Sequence, residues 1–250
     1  MDNAFIAQFL KWDCRHPTPG MHRINTVLRK LRTGVQLAPP SFSWAMANVE
    51  ARMNVFHLVS QTAAYGVPGD VVEIGCNSGE SSIVIQRVLN QYAPEKVFHA
   101  FDSFEGLPEL NGQDAKDAVY QRGSMSAKRQ KFDDNFRAVG MQPPMHVHKG
   151  WFEETIPSKL PERISFALID GDIYSSTKHV LPHVYGRLSK GAICMFGIYY
   201  DPSVFPRETT PGTYTSPGVK RACDEFFADK PEKVSVLYAN EYSNGYFRKA

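Results

Sequence analysis

The chain has 250 residues, 42% of them hydrophobic, with 28 Lys and Arg against 26 Asp and Glu and a formal net charge of +2. That length and apolar content suffice for one core-bearing domain with decoration, and the near-neutral balance excludes nucleic acid as the main partner, because neutralising phosphates needs a large basic surplus. Four widely spaced cysteines, Cys14, Cys76, Cys194 and Cys223, show no C-x-x-C pattern, which excludes a disulfide scaffold and points to reduced thiols in a cytoplasmic protein.

The opening MDNAFIAQFLKWD breaks its apolar run with Asp2 and Lys11 and does not read as a signal peptide. No uninterrupted apolar run is long enough to cross a bilayer. Through residue 40, six basic residues (Lys11, Arg15, Arg23, Arg29, Lys30 and Arg32) face only Asp2 and Asp13. Such an arm reads as a solvated helical face that packs on a neighbouring subunit, with an acidic or membrane surface, or a transit role, as alternatives. After Pro39-Pro40, apolar residues at Phe42, Met46, Val49, Met53, Phe56 and Val59 follow steps of four and three and predict a helix over 42–65.

Gly66-Val67-Pro68-Gly69 then turns the chain into a first strand near 71–75. That strand, VVEI with Glu73, stops at a turn containing Gly75 and Gly79, and Glu80 opens a helix predicted over 79–92. A strand that ends in a glycine turn and restarts as a helix leaves free N–H groups at a positive helix end, where a nucleoside cofactor can sit. A dinucleotide fingerprint needs G-x-G-x-x-G. Counting from Gly75, its later glycines are replaced by Asn77 and Glu80, and no Gly-Lys-Ser/Thr follows for a P-loop. E-x-G-x-x-x-G remains, a pattern suited to the cationic methionine end of S-adenosylmethionine.

A second strand near 97–101 ends in Asp102, about twenty residues on, where a carboxylate can accept both ribose hydroxyls. The alternative is an Asp that caps the following turn. Ser103 to Ser124 is a polar, charged stretch, read as a pocket wall or as a disordered loop. A helix near 125–139 and a strand near 145–148 follow. The apolar strand 164–169 delivers Asp170 and Asp172 at its carboxyl end, the edge where open α/β sheets bind ligands. A helix near 174–188 and a strand near 191–197 lead to Tyr199–Pro217, a Tyr- and Pro-rich loop read as a second pocket wall. The chain ends with a helix near 217–228 and strands near 233–238 and 245–248, joined without a helix and so forming a hairpin.

This alternation predicts an α/β protein with a Rossmann-like, seven-stranded, mostly parallel sheet and a C-terminal antiparallel hairpin, preceded by an N-terminal helical segment. Residues 1–66 read as a helical cap and oligomerisation segment, and 67–250 as the cofactor-binding domain.

The motifs resemble those of the macrocin O-methyltransferase family. The likeness is carried by Gly66-Val67-Pro68-Gly69-Asp70 running into VVEIGCNSGESSI, and by FDSFEGLPE, GWFEETIP, LIDGDIYSST and PGVKRACDEFF, spanning roughly residues 45 to 228. The resemblance implies a class I methyltransferase fold, S-adenosylmethionine as cofactor and oligomers built through the N-terminal helices. It also implies that Glu73, Gly75, Asn77, Gly79 and Ser81 surround the methionine part, that Asp102 with Ser103 meets the ribose, and that Trp151 and Phe152 lie against the adenine. Asp170 and Tyr174 complete the implied cofactor contacts. In the D-G-D motif the first aspartate, Asp170, is implied to bind magnesium, and the second, Asp172, to act as general base. A capping role for Asp172 on the helix beginning near Tyr174 is the alternative.

One departure matters. Relatives of this type carry two adjacent aspartates at the end of the fifth strand, and this chain has Gly197 and Ile198 there. With two of three carboxylates gone, tight magnesium binding is not expected, and Asp201 lies three residues too far along. The expected function is methyl transfer from S-adenosylmethionine to a hydroxyl of a sugar or small natural product, with Asp172 as base, or a nearby His148, His179 or His183 in its place. The other readings are a metal-independent N- or carboxyl-methyltransferase, or a catalytically inactive cofactor-binding paralogue kept for assembly or regulation. A nicotinamide oxidoreductase is disfavoured by the broken glycine fingerprint.

Overall fold

A computed structural model describes residues 19–35, 37, 49–117, 120–204, 216–239 and 242–250. Its contacts divide the chain into two compact units, Met1–Val49 and Glu50–Ala250. In the first, helix α1 (Pro19–Lys30) ends on Arg29 and Lys30, which complement its negative end. Asn25 clips the following chain back onto this helix, donating to the Leu37 carbonyl at 2.8 Å and accepting from the Leu37 N–H at 2.7 Å.

The second unit is built on a seven-stranded sheet. Its elements in chain order are α2 (Val49–Ala64), β1 (Asp70–Ile74), α3 (Glu80–Tyr92), β2 (Phe98–Asp102), α4 (Gly112–Asp117), α5 (Arg129–Ala138), β3 (His146–Lys149), α6 (Phe152–Lys159), β4 (Ile164–Ile169), α7 (Tyr174–Tyr185), β5 (Leu188–Phe196), α8 (Pro217–Phe227), β6 (Ser235–Ala239) and β7 (Tyr242–Arg248). The strand order is β3-β2-β1-β4-β5-β7-β6. Strands β1 to β5 pair in parallel, and β7 runs antiparallel to both β5 and β6. The expected mostly parallel sheet with a terminal hairpin is the observed one. Every residue of β4 is buried, as a central strand covered on both faces requires.

Several expected boundaries move, each for a local reason. Leu188 opens β5 three residues early because the β4–β5 register jumps from Ile164↔Leu188 to Phe166↔Ile193, with Gly191 at φ 81 inside the irregularity. The hairpin is tighter than the sequence implied, since Ala239 pairs directly with Tyr242. The short helices α4 and α6 were not expected, because six to eight residues are too few to show a helical period. The predicted helix 42–65 is described from residue 49, and its buried face differs from the expected one. Ala51, Val55, Leu58, Val59 and Thr62 are buried, whereas Met53 is 37% exposed. Apolar residues occur around much of this helix, so spacing alone could not choose the face.

The α2 face is tied to the hairpin. Asn54 donates to the Tyr238 carbonyl and to Asn244 Oδ1, and Arg248 donates to Gln61 Oε1 at 2.8 Å. On one side of the sheet, Val72, Ile74 and Phe101 pack with Ile156 of α6 and with Val180 and Leu181 of α7 in one core. Each such buried side chain contributes about 1.5–3 kcal/mol relative to exposure. Among the described residues, no helix is long and apolar enough to cross a membrane.

Candidate functional site

Strand order reverses between β1 and β4, since the chain moves outward through β2 and β3 on one side and through β5 on the other. The crevice beyond the carboxyl ends of these two strands is the place where such sheets bind ligands. Three turns meet there. Asp170 N–H donates to the Ile74 carbonyl at 2.8 Å, and Gly197 N–H donates to the Ile169 carbonyl at 2.9 Å. The approach is close enough that glycine is required: a β-carbon on Gly75, which sits at φ 93, would stand 2.1 Å from the Asp170 carbonyl oxygen.

Glu73, the acid of the glycine motif, is fully buried beneath the turn. The Ser81 and Ser82 hydroxyls each donate to one of its carboxylate oxygens, so it ties β1 to the first turn of α3. Burial, opposed by these two hydrogen bonds, pushes its carboxyl up to about 8. The structure therefore places Glu73 and Ser81 behind the turn as its support. Gly79, at φ 87, brings the start of α3 against the Phe132 ring, where a β-carbon would lie 2.8 Å from Cδ2. Asn77, at φ 44, donates from Nδ2 to the Met125 carbonyl.

Asp102 ends β2 at the mouth of the same turn. Its Oδ2 accepts from Asn77 N–H at 2.8 Å and its Oδ1 from Phe104 N–H at 2.7 Å. It thus caps its own turn and also staples the glycine turn to β2. Burial raises its carboxyl despite these backbone donors. Ser103 closes the next bend by donating to the Gly106 carbonyl at 2.8 Å. Gly150 N–H donates to the Asp102 carbonyl at 3.1 Å, which sets Trp151 and the start of α6 beside the Asp102 end of β2. Phe152 reaches across toward the D-G-D turn, with its Cε2 3.5 Å from where a Gly171 β-carbon would be.

In the D-G-D turn, Asp170 and Asp172 keep a solvent-facing edge while protein surrounds the rest. Burial first, then the Asp102 charge, pushes Asp170 up to about 6. Burial and then Asp170 hold Asp172 well above the usual carboxylate range. Asp172 adopts the left-handed region at φ 61, a conformation that costs roughly 1–2 kcal/mol for a residue with a β-carbon. The Tyr120 hydroxyl donates to Asp172 Oδ1 at 3.3 Å and also meets Ser216 Oγ at 2.9 Å. Asp172 does not cap α7. That work falls to Asp114 of α4, whose Oδ1 accepts from Tyr174 N–H at 2.8 Å and whose Oδ2 accepts from Ser175 N–H at 3.3 Å.

Other expected residues lie elsewhere. The Tyr174 hydroxyl points across to α8, donating to Glu225 Oε2 at 2.7 Å. His148 stands on β3 with its ring against Phe101 and beside His99. His179 and His183 stand one turn apart on α7, with ring centroids 5.2 Å apart. Tyr120, Ser216 and Asp114 carried no sequence signal, because Tyr120 meets Asp172, Ser216 meets Tyr120 and Asp114 meets the start of α7 each from more than forty residues away in the chain.

The donor set at the crevice does not make a magnesium site. Gly197 and Ile198 offer no carboxylate, and the nearby Asp201 is engaged with Ser203 Oγ at 2.6 Å and Lys220 Nζ at 3.7 Å. Among the described residues, Asp102, Asp170 and Asp172 do not converge as a three-ligand group. What the crevice does offer is three acidic groups, Asp102, Asp170 and Asp172, with Glu73 buried behind the turn; burial raises all four carboxyls, and neighbouring carboxylates add to the shifts of Glu73, Asp170 and Asp172.

The family model described as Macrocin-O-methyltransferase (TylF) matches residues 9–204. A Streptomyces olivaceus protein named 8-demethyl-8-(2,3-dimethoxy-alpha-L-rhamnosyl)-tetracenomycin-C 4'-O-methyltransferase is 31% identical over 168 residues, 64% of this chain and 64% of that protein. The mycinamicin III 3''-O-methyltransferase of Micromonospora griseorubida is 29% identical over 66% of this chain and 68% of its own length. The match thus spans just under two thirds of the first relative and just over two thirds of the second. The solved structure of the O-methyltransferase NovP superposes with a TM-score of 0.72 at 21% identity, covering 100% of this chain and 97% of that one. The calicheamicin methyltransferase CalS11 does so with a TM-score of 0.60 at 20% identity, covering 93% and 94%. On this evidence the chain belongs to the macrocin O-methyltransferase family and has the class I methyltransferase fold.

Proposed function

We propose that the chain transfers a methyl group from S-adenosylmethionine to a hydroxyl of a sugar or other small natural product, with Asp172 accepting the hydroxyl proton. The observation that carries this reading is the crowding of Asp102, Asp170 and Asp172 at the strand ends, with Asp172 released from capping by Asp114. When bound, the cofactor supplies an electrophilic methyl group on a sulfonium. Asp102 and the Asn77 turn orient its ribose, Trp151 and Phe152 wall its base, and the acidic groups offset its positive charge. Asp172, bonded to Tyr120 and facing no cationic side chain among the described residues, is the group we assign to take a proton from an acceptor hydroxyl. Asp172 takes the proton without help from magnesium, because Gly197 and Ile198 leave the crevice short of the carboxylates that would hold that ion. The names of the two relatives, one a 4'-O-methyltransferase of a rhamnosyl-tetracenomycin and the other a mycinamicin III 3''-O-methyltransferase, support the acceptor class.

The same proposal includes homo-oligomers assembled through the N-terminal segment, where Ile24, Val27 and Leu31 lie exposed along one side. It also includes a reducing, cytoplasmic location, consistent with the free buried thiols of Cys76, Cys194 and Cys223. Calorimetry with S-adenosylhomocysteine and with NAD tests the cofactor, and turnover with glycosylated acceptors in the presence of a chelator tests the reaction. Heat with the nucleoside and chelator-resistant turnover are expected. Binding without turnover on any hydroxyl, amine or carboxyl acceptor would favour an inactive paralogue instead, and heat with NAD alone would end the proposal.

A further inference from the structure

His99 of β2 and His146 of β3 are direct register partners, and His148 stands two residues further along β3. All three imidazoles therefore leave the same face of the sheet. One ring nitrogen from each lies within 4.8 Å of the others. His99 Nδ1 is 3.3 Å from His148 Nε2, and the His99 and His146 ring centroids are 4.7 Å apart. The opposite nitrogen of His99, Nε2, faces Asp70 Oδ2 at 3.8 Å, while Asp70 Oδ1 accepts from Val97 N–H at 3.1 Å.

At 3.8 Å the carboxylate stands just beyond hydrogen-bond distance behind one ring nitrogen, and closing that gap would fix the proton there and leave the other nitrogen's lone pair for a metal. Burial, then the neighbouring imidazoles, lowers the pKa of His99, and the same causes bring His148 down to about 4. An imidazole binds metal through the lone pair of a neutral ring. Lys159 lies near enough to His148 to oppose a cation, and Phe101 stacks on the same ring at 4.5 Å. A purely packing role explains the Phe101 contact. It does not explain three convergent nitrogens with an acid behind one of them.

We propose that His99, His146 and His148 form a transition-metal site, supported by Asp70, with a water or small anion completing four-coordination. Three imidazoles select zinc or a similar borderline divalent ion over magnesium. The site lies three residues before Asp102 on β2, roughly 10 Å from the cofactor crevice. A cleft of about 710 Å³ lined by Gly69, Asp70, Lys96, His99 and Arg163 gives an ion a way in. A metal there would pin the edge strand β3, whose next residues carry Gly150 and Trp151 to the cofactor wall.

The test uses the full-length, tag-free chain stripped with a chelator. Zinc is titrated in competition with a chromophoric chelator, and cobalt is followed by its visible bands. One ion per chain is expected, with cobalt bands of tetrahedral intensity. His146→Asn and His148→Asn should each weaken zinc binding by tenfold or more, and Asp70→Asn by about tenfold. Asp170→Asn, which alters the crevice, and His179→Asn, which breaks the pair on α7, should leave zinc affinity unchanged. Long-range proton–nitrogen spectra of the wild-type imidazoles keep the test decisive should a variant misfold, because zinc must shift three ring systems together. Zinc binding weaker than roughly 100 μM, or binding that survives the β3 substitutions and is lost with His179→Asn, would overturn the proposal.

Discussion

The Asp170 carboxylate lies directly against the α-carbon of Gly197: a β-carbon at position 197 would stand 2.2 Å from Asp170 Oδ1 and 2.3 Å from its Cγ. The end of β5 is thus shaped around a side chain delivered by β4. The position that would supply a metal-binding carboxylate in a magnesium-dependent site is here the space that Asp170 occupies. Loss of the carboxylate at 197 and the present placing of Asp170 are two sides of one packing arrangement. Asn244 reinforces it, donating from Nδ2 to the Gly197 carbonyl at 2.6 Å.

Gly197→Ala should therefore act on the site more than on the fold. The Asp170 carboxyl is the end of a short side chain and can turn away, so destabilisation of about 1–2 kcal/mol is expected. Methyl transfer should fall tenfold or more. Thermal unfolding and steady-state kinetics on the same preparation separate the two effects, and full activity in this variant would show that the Asp170 position is not used.

Asp172→Asn should lower kcat by about 10²–10⁴-fold, the range for a positioned base, while S-adenosylhomocysteine affinity changes only a few fold. Tyr120→Phe removes the hydroxyl that bonds Asp172 and should lower kcat by a smaller factor without changing cofactor affinity. An Asp172→Asn enzyme as fast as the wild type would remove Asp172 from the mechanism.

The acid limb of the pH profile carries a sign. A base works ionised, so kcat/KM should rise with pH and fall away as pH drops through the raised carboxyl values, Asp170 lying at about 6. Because the Asp170 charge helps hold the proton on Asp172, Asp170→Asn should move the acid limb to lower pH. A limb that moves upward or stays in place would contradict the coupling.

Glu73 links folding stability to pH. Its carboxyl is raised to about 8 in the fold against 4.5 unfolded, so the folded state holds the extra proton. The resulting stabilisation is complete below pH 4.5 and is lost as pH rises toward 8, by roughly a few kcal/mol. Glu73→Gln cannot ionise and should flatten that decline. Urea unfolding of both proteins at pH 5 and pH 8 measures the difference.

Asp114→Ala should cost about 0.5–2 kcal/mol, the usual loss for a helix cap, because two N–H groups at the start of α7 lose their acceptor. Hydrogen exchange should speed up at Tyr174 and Ser175 before it does in β4. Unchanged exchange there would mean that solvent replaces the carboxylate without cost.

Much of the fold was legible because its signals are local. Gly75 must turn the chain at the end of β1, and the run 164–169, apolar except for Ser165, is buried along its whole length as a central strand. The missing G-x-G-x-x-G spacing and the absent carboxylates at 197 and 198 were equally plain, since both are properties of adjacent residues. The buried face of α2 was not legible, because apolar residues surround the helix and only tertiary packing buries Val55 and Leu58 while leaving Met53 37% exposed.

By itself the sequence determined the sheet order class, the glycine turn after β1 and the identity of the acids at the strand ends, because each follows from short-range pattern and chain connectivity. Only the tertiary structure decided what those acids do. Glu73 turns inward to Ser81 and Ser82, and Asp114 takes the capping duty from Asp172. Three histidines from two strands meet on one face. These are choices among partners forty or more residues apart for several of the contacts, and burial and hydrogen-bond satisfaction settle them only when the chain has packed.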